Sequence, residues 1–580
     1  MNKIATSLSP AFLIVFSIFV FGPSMIYQGN LDEFLVPLGS LLKSFVLPAL
    51  VLFLLLGIIG LALPRKAHRF YVSILFALGV LLWLQGNLLV WRYGLLDGQG
   101  IDWTRGLWRG WVDGILWVAL LVLAGFFSGK IYRVVGPGSL AIAALLLVSL
   151  LITSVQKPGI WAGQEKPLRH LIPPEEIFEF SSGQNIIHFV LDGFQSDLFD
   201  EIVTADPDRY FHSLEGFTFF KEASGEFPTT YMSIPAFLTG RIYKNDVPMR
   251  EFLNRAMRGR TIARWLHGRG YRTDLVADTA FTKAGKQAAR YHIAVPYGGS
   301  LKQYLKLNST FLLNLVLFRQ APHFLKKYVY NNERWLFQGG LDPEARHLGI
   351  RYFSHQAFLS DLIRNMSVKG AEPVYKYVHL MTTHPPVVVG RDCRYAPVAE
   401  AGREDIKTQD KCSLDHFIEF LDRLREKGLY DSSLIIVQAD HGLNIKVKMR
   451  DGDDQGGEGL PFKDVSLDEI ASSAAPLMAV KPPFSRGPMK ISRAQVSLTD
   501  IPATIGSVLK LKRPPAGRSA YYVGEEEVRE RRFYYYHWRN ENWESTYFPR
   551  LDEFIIKGSL FDRNSWQWSA TFYPPTRADH

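Results

Sequence analysis

Residues 225–241 read GEFPTTYMSIPAFLTGR, and the interpretation of the whole chain starts from this stretch. Pro228 and the paired threonines predict a loop that runs into a short apolar helix beginning near Thr230. The Thr230 hydroxyl and several unpaired backbone N–H groups would then lie together at a helix N-terminus, which favours an anion. A plain N-cap explains this stretch alone more simply, so the rest of the sequence has to decide between the two interpretations.

The first 155 residues are dominated by apolar segments. Four of these segments approach the roughly 17 to 25 residues that span a bilayer. They are Pro10 to Tyr27, Phe45 to Leu63, Phe70 to Trp91 and Ser139 to Val155. A fifth, Ile115 to Phe127, is long enough only together with Leu107 to Gly114. We therefore predict five spans in residues 1–156, and the first one is expected to remain as an anchor because no small-residue cleavage site follows it.

Basic residues indicate how these spans are oriented. Lys3, the cluster at 65–69 and the pair Lys130 and Arg133 fall in alternate loops, which the positive-inside rule places in the cytoplasm. Five spans then put the C-terminal part outside it. We predict a multi-pass protein of a bacterial cytoplasmic (inner) membrane with an extracytoplasmic, periplasmic C-terminal domain. The net charge of +10 fits orientation and contact with lipid headgroups, and no nucleic-acid motif is visible.

The chain contains two cysteines, Cys393 and Cys412, so it is not a disulfide scaffold. Both lie in the part predicted to be outside the cytoplasm, where a single bridge is expected to persist. Two free buried thiols are the alternative at this stage.

The C-terminal part alternates strand-like and helical patterns. Residues 157–176, rich in Pro, Gly and charge, predict a linker. The strand-like runs are Asn185 to Leu191, Tyr375 to Leu380, Ser433 to Gln438 and Ala475 to Val480. Helical spacing recurs at 351–366 and 414–424. The alternation predicts an α/β domain with a mostly parallel central sheet over 177–520, followed by an extension at 521–580 that packs on it.

Polar residues follow three of the predicted strands. They are Asp192 after the first, His379 and His384 at the end of the second, and Asp440 and His441 after the third. Ligands gather at the carboxyl ends of strands in such sheets. Two carboxylates and an imidazole beside a hydroxyl suit Zn, Mn or Mg. Each residue alone is also explained as a turn former or a packed histidine, so it is their shared position that indicates a site.

Four motifs together resemble a known family. They are VLDG at 190–193, TTYMSIPAFLTGR at 229–241, THPP at 383–386 and ADHG at 439–442. The chain resembles the sulfatase-like branch of the alkaline phosphatase superfamily. Its layout is similar to the membrane-anchored lipoteichoic acid synthases and lipid A phosphoethanolamine transferases, which carry five spans before an extracytoplasmic catalytic domain. The stretch 496–509 also resembles the helix that follows the last core strands in that superfamily.

The resemblance places Thr230 at the nucleophile position, because Thr239 and Gly240 stand nine and ten residues after it, as they do after the sulfatase nucleophile. The sulfatase C-x-P-x-R signature is missing, since Met232 and Ile234 replace Pro and Arg and threonine replaces cysteine. Without that cysteine there is no route to formylglycine. The pattern T-x-x-S-x-P is instead similar to the phosphoethanolamine transferases and implies phosphoryl chemistry.

The resemblance also implies roles for the other residues. One divalent metal, Zn, Mn or Mg, is expected to bind to Asp192, Thr230, Asp440 and His441. The resemblance leaves open whether a second metal binds as well. His384 is expected to deliver a proton to the leaving oxygen or to contact the phosphoryl group. His379 is the second candidate for substrate contact, although its position within a strand fits a structural role equally well.

The function implied is metal-dependent transfer of a phosphoglycerol-type or phosphoethanolamine-type group through a threonine-linked intermediate. A membrane lipid would serve as donor or acceptor, and an envelope glycan or lipid would accept the group. One alternative is a hydrolase of sulfuric or phosphoric esters. Another is a non-catalytic partner in envelope polysaccharide assembly. The sequence leaves the transferred group and the oligomeric state open.

Overall fold

The structure, a computed structural model, describes residues 2–30, 34, 36–91, 93, 101, 103–104, 106–156, 172–278, 281–282, 289–295, 297–298, 301–331, 334–337, 350–398, 401–450, 465–537 and 547–575. Two units are distinguished. The first comprises Met1–Leu171 and Gly299–Leu348, and the second comprises Ile172–Gly298 and Gly349–His580. Most of the predicted linker, 157–171, lies outside the described residues.

The N-terminal part consists of helices. They are α1 (Lys3–Phe16), α2 (Gly22–Gly29), α3 (Leu38–Ala62), α4 (Arg65–Asn87), α5 (Leu107–Phe126) and α6 (Ser128–Gln156). A π-helical segment, Ser17–Phe21, joins α1 to α2, so that Lys3–Gly29 forms one apolar span. Among the described residues, five helices are long and apolar enough to cross a membrane, which confirms the predicted number.

Eleven further helices follow along the described part of the chain. They are α7 (Ser196–Ala205), α8 (Pro207–Ser213), α9 (Thr230–Thr239), α10 (Met249–Arg258), α11 (Ile262–His267), α12 (Leu301–Gln320), α13 (His323–Val329), α14 (Ile350–Arg364), α15 (Arg403–Glu426), α16 (Leu467–Ser473) and α17 (Ile501–Val508). Helices α12 and α13 belong to the first unit. Helix α17 lies within the stretch at 496–509 for which the resemblance implies a helix.

The strands of the described chain are β1 (Glu179–Phe180), β2 (Asn185–Leu191), β3 (Thr218–Phe220), β4 (Arg272–Val276), β5 (Ala289–Tyr291), β6 (Tyr330–Asn331), β7 (Arg334–Trp335), β8 (Ser367–Val368), β9 (Val374–Leu380), β10 (Leu434–Gln438), β11 (Met478–Lys481), β12 (Lys490–Ser492), β13 (Glu530–Tyr535), β14 (Leu551–Lys557) and β15 (Trp566–Phe572). Eight of them form the central sheet in the order β12-β3-β11-β10-β2-β9-β4-β5. Only β11 runs antiparallel to its neighbours, so the sheet is mostly parallel, as predicted.

Strand β2 shows how the sheet is covered on both faces. Ile187, Phe189 and Leu191 pack in one apolar cluster with residues of α7, α14 and α15. Ile186 and Val190 point to the opposite face, into a cluster with residues of α9, α11 and α17. Every residue of β2 is buried, as expected for a central strand of a parallel sheet with helices on both sides.

Residues 299–348 belong to the first unit. The sequence prediction instead treats 177–520 as one continuous domain. Helix α12 packs with α2, α3 and α4 of the first unit. The packing is close, because a Cβ atom at Gly22 would lie 2.7 Å from a methyl carbon of Val316. The Gln320 side chain donates a hydrogen bond to the carbonyl of Ser17 at 3.1 Å, within the π-helical segment. Contacts between parts so distant in the sequence leave no local signal.

The C-terminal segment adds a three-stranded antiparallel sheet, β13-β14-β15, to the second unit. Its aromatic residues Tyr534, Tyr536 and Phe548 share an apolar cluster with Phe227 and with Met232 of α9. The extension therefore packs against residues 225–241.

Cys393 and Cys412 form a disulfide bond with 5.6 Å between their Cα atoms. The bridge closes a loop whose ends are 19 residues apart. In the chain-entropy picture such a loop contributes on the order of 3 kcal/mol to stability. We expect the double variant Cys393→Ser/Cys412→Ser to unfold at a lower temperature in scanning calorimetry. Reductant should lower the unfolding temperature of the wild type alone, and identical unfolding of both proteins would contradict the prediction.

Candidate active site

Three neighbouring strands bring the candidate residues to one edge of the central sheet. Val190 of β2 is paired in register with His379 of β9 and with Gln438 of β10. Asp192 and Asp440 each follow this row of paired residues by two positions. Because the strands are parallel, their carboxyl ends meet and both carboxylates emerge beside His379.

Two carboxylates and one imidazole form the centre of the site. Asp192, His379 and Asp440 each offer a ligand atom, and these atoms all lie within 4.8 Å of one another. His379 Nε2 lies 3.0 Å from Asp192 Oδ2. The backbone N–H of Gly193 donates to Asp440 Oδ1 at 3.2 Å, which ties the end of β2 to the residue after β10.

Thr230 is the first residue of α9 and faces this centre. Its Oγ1 lies 3.2 Å from Asp192 Oδ2 and 3.2 Å from His441 Nε2. The side chain is partly exposed, while Asp192 and His441 are buried, so the hydroxyl can be reached from outside. Thr229 is the extended N-cap residue, and the first N–H groups of α9 have no intrahelical acceptor. An anion placed against Thr230 Oγ1 would meet these N–H groups.

Two glycines allow the turns that place these side chains. Gly193 follows Asp192 with φ of 77°, a left-handed conformation that favours glycine. Gly442 follows His441, and a Cβ atom there would lie 1.9 Å from the carbonyl oxygen of Ser472. A larger residue at either position would displace the neighbouring site residue.

The donor set fits a divalent cation. Asp192 Oδ1 and Asp440 Oδ2 are buried, and neither accepts a hydrogen bond within the described ranges. Buried carboxylate oxygens without partners cost free energy unless a cation neutralises them. Carboxylates with imidazole nitrogens are a ligand combination typical of Zn and Mn, and carboxylates alone also suit Mg.

Electrostatic coupling holds the site in its charged form. Burial alone would raise the pKa of Asp192, but the hydrogen bond from His379 and the positive charges of His384, His379 and His441 lower it well below its usual range. For His379 and His441, burial alone would lower the pKa. The two carboxylates reverse this effect and raise both values.

The structure brings together all four residues for which metal binding is implied: Asp192, Thr230, Asp440 and His441. His384 is partly exposed and close enough to influence Asp192, with its Nδ1 2.6 Å from the carbonyl of Pro385. His379 Nε2 lies beside Asp192 Oδ2, among the atoms that could hold a metal ion. Its register with Val190, two positions before Asp192, places it there.

Comparison with known proteins identifies the family. A family model described as Sulfatase matches residues 184–510, which is more than half of the 580 residues. The chain belongs to the sulfatase family. No curated protein matches this sulfatase-family chain.

Several solved structures are similar to the sulfatase-family chain at low identity. Ps i-CgsB in complex with k-i-k-neocarrahexaose has a TM-score of 0.38 and 12% identity, covering 67% of this chain and 85% of that one. A protein in the alkaline phosphatase superfamily from Vibrio parahaemolyticus has a TM-score of 0.37 and 13% identity, covering 66% and 78%. The lipoteichoic acid synthase LtaP from Listeria monocytogenes has a TM-score of 0.35 and 11% identity, covering 68% and 90%. These values are too low to assign a reaction.

The C-terminal extension of this sulfatase-family chain contributes a residue beside the nucleophile position. The hydroxyl of Tyr536, just after β13, is hydrogen-bonded to the hydroxyl of Thr229. Tyr536 is buried, and burial raises its pKa, so the phenol stays protonated. Thr229 precedes Thr230 directly, so this hydrogen bond fixes the start of α9. No sequence pattern links residues 307 positions apart.

We expect Tyr536→Phe to lower turnover of an aryl phosphodiester by about tenfold, because a lost buried hydrogen bond that costs about 1.4 kcal/mol loosens the residue before Thr230. The fall should appear in kcat more than in KM. Thr229→Val removes the same hydrogen bond, so the double variant should be no worse than either single variant. Fully additive losses would show that the two hydroxyls act separately.

Proposed function

We propose that the protein is a metal-dependent phosphotransferase. It moves a phosphoglycerol-type or phosphoethanolamine-type group from a membrane phospholipid to an envelope glycan or lipid through a threonine-linked intermediate. The observation that carries this proposal is the position of Thr230 Oγ1, 3.2 Å from both Asp192 Oδ2 and His441 Nε2. Threonine has no route to formylglycine, and its hydroxyl needs an adjacent base or metal to act as a nucleophile.

The residues that would hold the metal are Asp192, Asp440 and His441, with Thr230 Oγ1 as a further ligand and His379 beside them. A bound divalent cation favours the alkoxide form of the hydroxyl and neutralises charge on the phosphoryl oxygens. A second metal stays open.

In the first half-reaction, Thr230 Oγ1, which solvent can reach, gives its proton to water and bonds to the phosphorus of the donor lipid. The bond between phosphorus and the diacylglycerol oxygen breaks, and His384 protonates that oxygen. In the second half-reaction, an acceptor hydroxyl gives its proton to His384 and bonds to phosphorus. Thr230 Oγ1 leaves and recovers a proton from water, so every group returns to its starting state.

The five apolar helices support a lipid as the donor, because they would keep the enzyme at a membrane surface. The alternation of basic loops supports an inner-membrane location with the catalytic unit on the periplasmic side. A lipid donor and an envelope acceptor are both accessible there.

Mass spectrometry tests the proposal directly. The purified protein is incubated with a divalent metal and a mixture of phospholipids, and the peptide containing Thr230 is analysed. A covalent adduct on Thr230 is expected, its mass identifies the transferred group, and the Thr230→Ala variant should carry none. Absence of any adduct together with release of a free headgroup would favour hydrolysis instead.

Membership of the sulfatase family favours one other candidate, a hydrolase of sulfuric or phosphoric esters. Release of free sulfate from an aryl sulfate, compared with release of alcohol from an aryl phosphodiester, separates the two. Faster turnover of the sulfate ester would replace the proposed reaction.

A further inference from the structure

Helix α10 of the catalytic unit has two different faces. Met249, Phe252, Ala256 and Met257 are buried. The opposite face lines an open cleft of about 520 Å³ together with the residue before the helix. The lining residues are Pro248, Arg250, Glu251, Asn254, Arg255 and Arg258. Three of these six are arginines, and one is acidic.

The positive charge of the cleft is not balanced within the described part of the chain. Glu251 forms an i,i+4 ion pair with Arg255, which neutralises both. Arg250 and Arg258 are exposed, and neither forms an ion pair with any described carboxylate. The guanidinium carbon of exposed Arg241 would lie 3.6 Å from a Cβ atom at Gly259, at the end of α10. A third cation therefore lies near the C-terminal end of α10.

The spacing of these charges indicates the kind of ligand. Arg250 and Arg258 are eight residues apart, which is about 12 Å along a helix. A polymer with anionic groups along its length can contact both guanidinium groups without drawing the two side chains together. Each guanidinium binds phosphate or carboxylate oxygens with paired N–H donors.

A membrane surface fits this face less well. A helix that lies on a bilayer inserts its apolar face between the lipids. In α10 that face is buried in the protein, in a cluster with Met232 and Ala236 of α9. No large hydrophobic residue between 241 and 260 is exposed.

We propose that the α10 cleft binds an anionic envelope polymer through Arg250 and Arg258. The same cluster joins α10 to α9, whose first residue is Thr230, so a polymer held in the cleft stays at a fixed distance from the nucleophile. The role of the α10 cleft as an acceptor subsite rests on the proposed function. Binding of the polymer to the cleft is independent of that function.

The experiment measures binding without turnover. Full-length protein in detergent micelles is titrated against fluorescein-labelled inorganic polyphosphate, and anisotropy is recorded at several salt concentrations. We expect Arg250→Gln/Arg258→Gln to weaken binding by at least about tenfold, and the slope of log affinity against log salt to fall by about two. The control Lys427→Gln/Lys490→Gln removes two exposed charges elsewhere on the same unit and should bind as the wild type does.

Three results would overturn the proposal. Equal weakening in both double variants would show only an effect of net charge. Glycerol 3-phosphate and unlabelled polyphosphate can be compared as competitors at equal phosphate concentration. Equally strong competition by the two would indicate a site for a single anion. Displacement by phosphatidylglycerol micelles at lower phosphate concentration than by polyphosphate would assign the cleft to lipid. Thr230→Ala should bind polyphosphate normally, so failure of the proposed reaction and failure of this site are distinguishable.

Discussion

Thr230→Ala is expected to lower turnover of an aryl phosphodiester at least about a thousandfold, since it removes the attacking oxygen and leaves no other hydroxyl at that position. The Thr230 side chain is partly exposed, and its hydroxyl contacts only polar groups of the site. The variant should therefore fold and unfold as the wild type does. Initial rates at saturating metal, together with scanning calorimetry, check both parts of the prediction.

Thr229→Ala is the matched control for this variant. It removes the same group one residue earlier, but the Thr229 hydroxyl contacts Tyr536 rather than Asp192. We expect it to cost about tenfold in rate, similar to Tyr536→Phe. If Thr230→Ala retained most of the activity while Thr229→Ala lost it, the nucleophile would have to be reassigned to Thr229.

Local patterns predicted the strands that position the site. Strand β2 begins and ends at the predicted residues, Asn185 and Leu191. Its mostly apolar run is typical of a strand buried on both faces at the centre of a sheet. The last predicted run, Ala475 to Val480, begins three residues early. Strand β11 starts at Met478, since the N–H groups of Ala474 and Ala475 still donate hydrogen bonds within the turn after α16. The antiparallel direction of β11 depends on neighbours distant in the sequence.

Features that depend on contacts between distant segments were missed. Helix α12 carries polar residues along with its apolar ones, so its sequence resembles a helix of the soluble part rather than a partner of α3 and α4. Tyr536 reaches Thr229 only because the sheet of the C-terminal extension packs on α9. The place of His379 beside Asp192 depends on strand register, which sequence alternation does not specify between separate strands.

Asp440→Asn is expected to weaken metal affinity at least about a hundredfold, because loss of a second-sphere partner alone costs about ten to a hundredfold. Asp440 Oδ2 is buried and accepts no hydrogen bond in the described structure, so a cation is its natural partner. Titration calorimetry with Zn²⁺ and Mn²⁺, after removal of metal by chelator, measures the affinity. Turnover should disappear with chelator in the wild type and return when metal is added.

A second measurement distinguishes a metal ligand from a merely structural carboxylate. Without metal, Asp192 and Asp440 are two buried carboxylates in one site, so removing one charge should raise the unfolding temperature of the metal-free protein. With metal at a hundred times its dissociation constant, the wild type gains about 2.7 kcal/mol, and Asp440→Asn should gain almost nothing. The two curves therefore cross as metal is added.

Asp410→Asn is the matched control for a buried aspartate. Both oxygens of Asp410 are buried without hydrogen-bond partners in the described structure, and burial together with the charge of Asp197 raises its pKa well above the usual range. The charged form of Asp410 is therefore disfavoured, and its replacement by asparagine should leave metal affinity and metal-dependent stabilisation intact. A wild-type protein that binds no divalent metal would instead support the non-catalytic alternative.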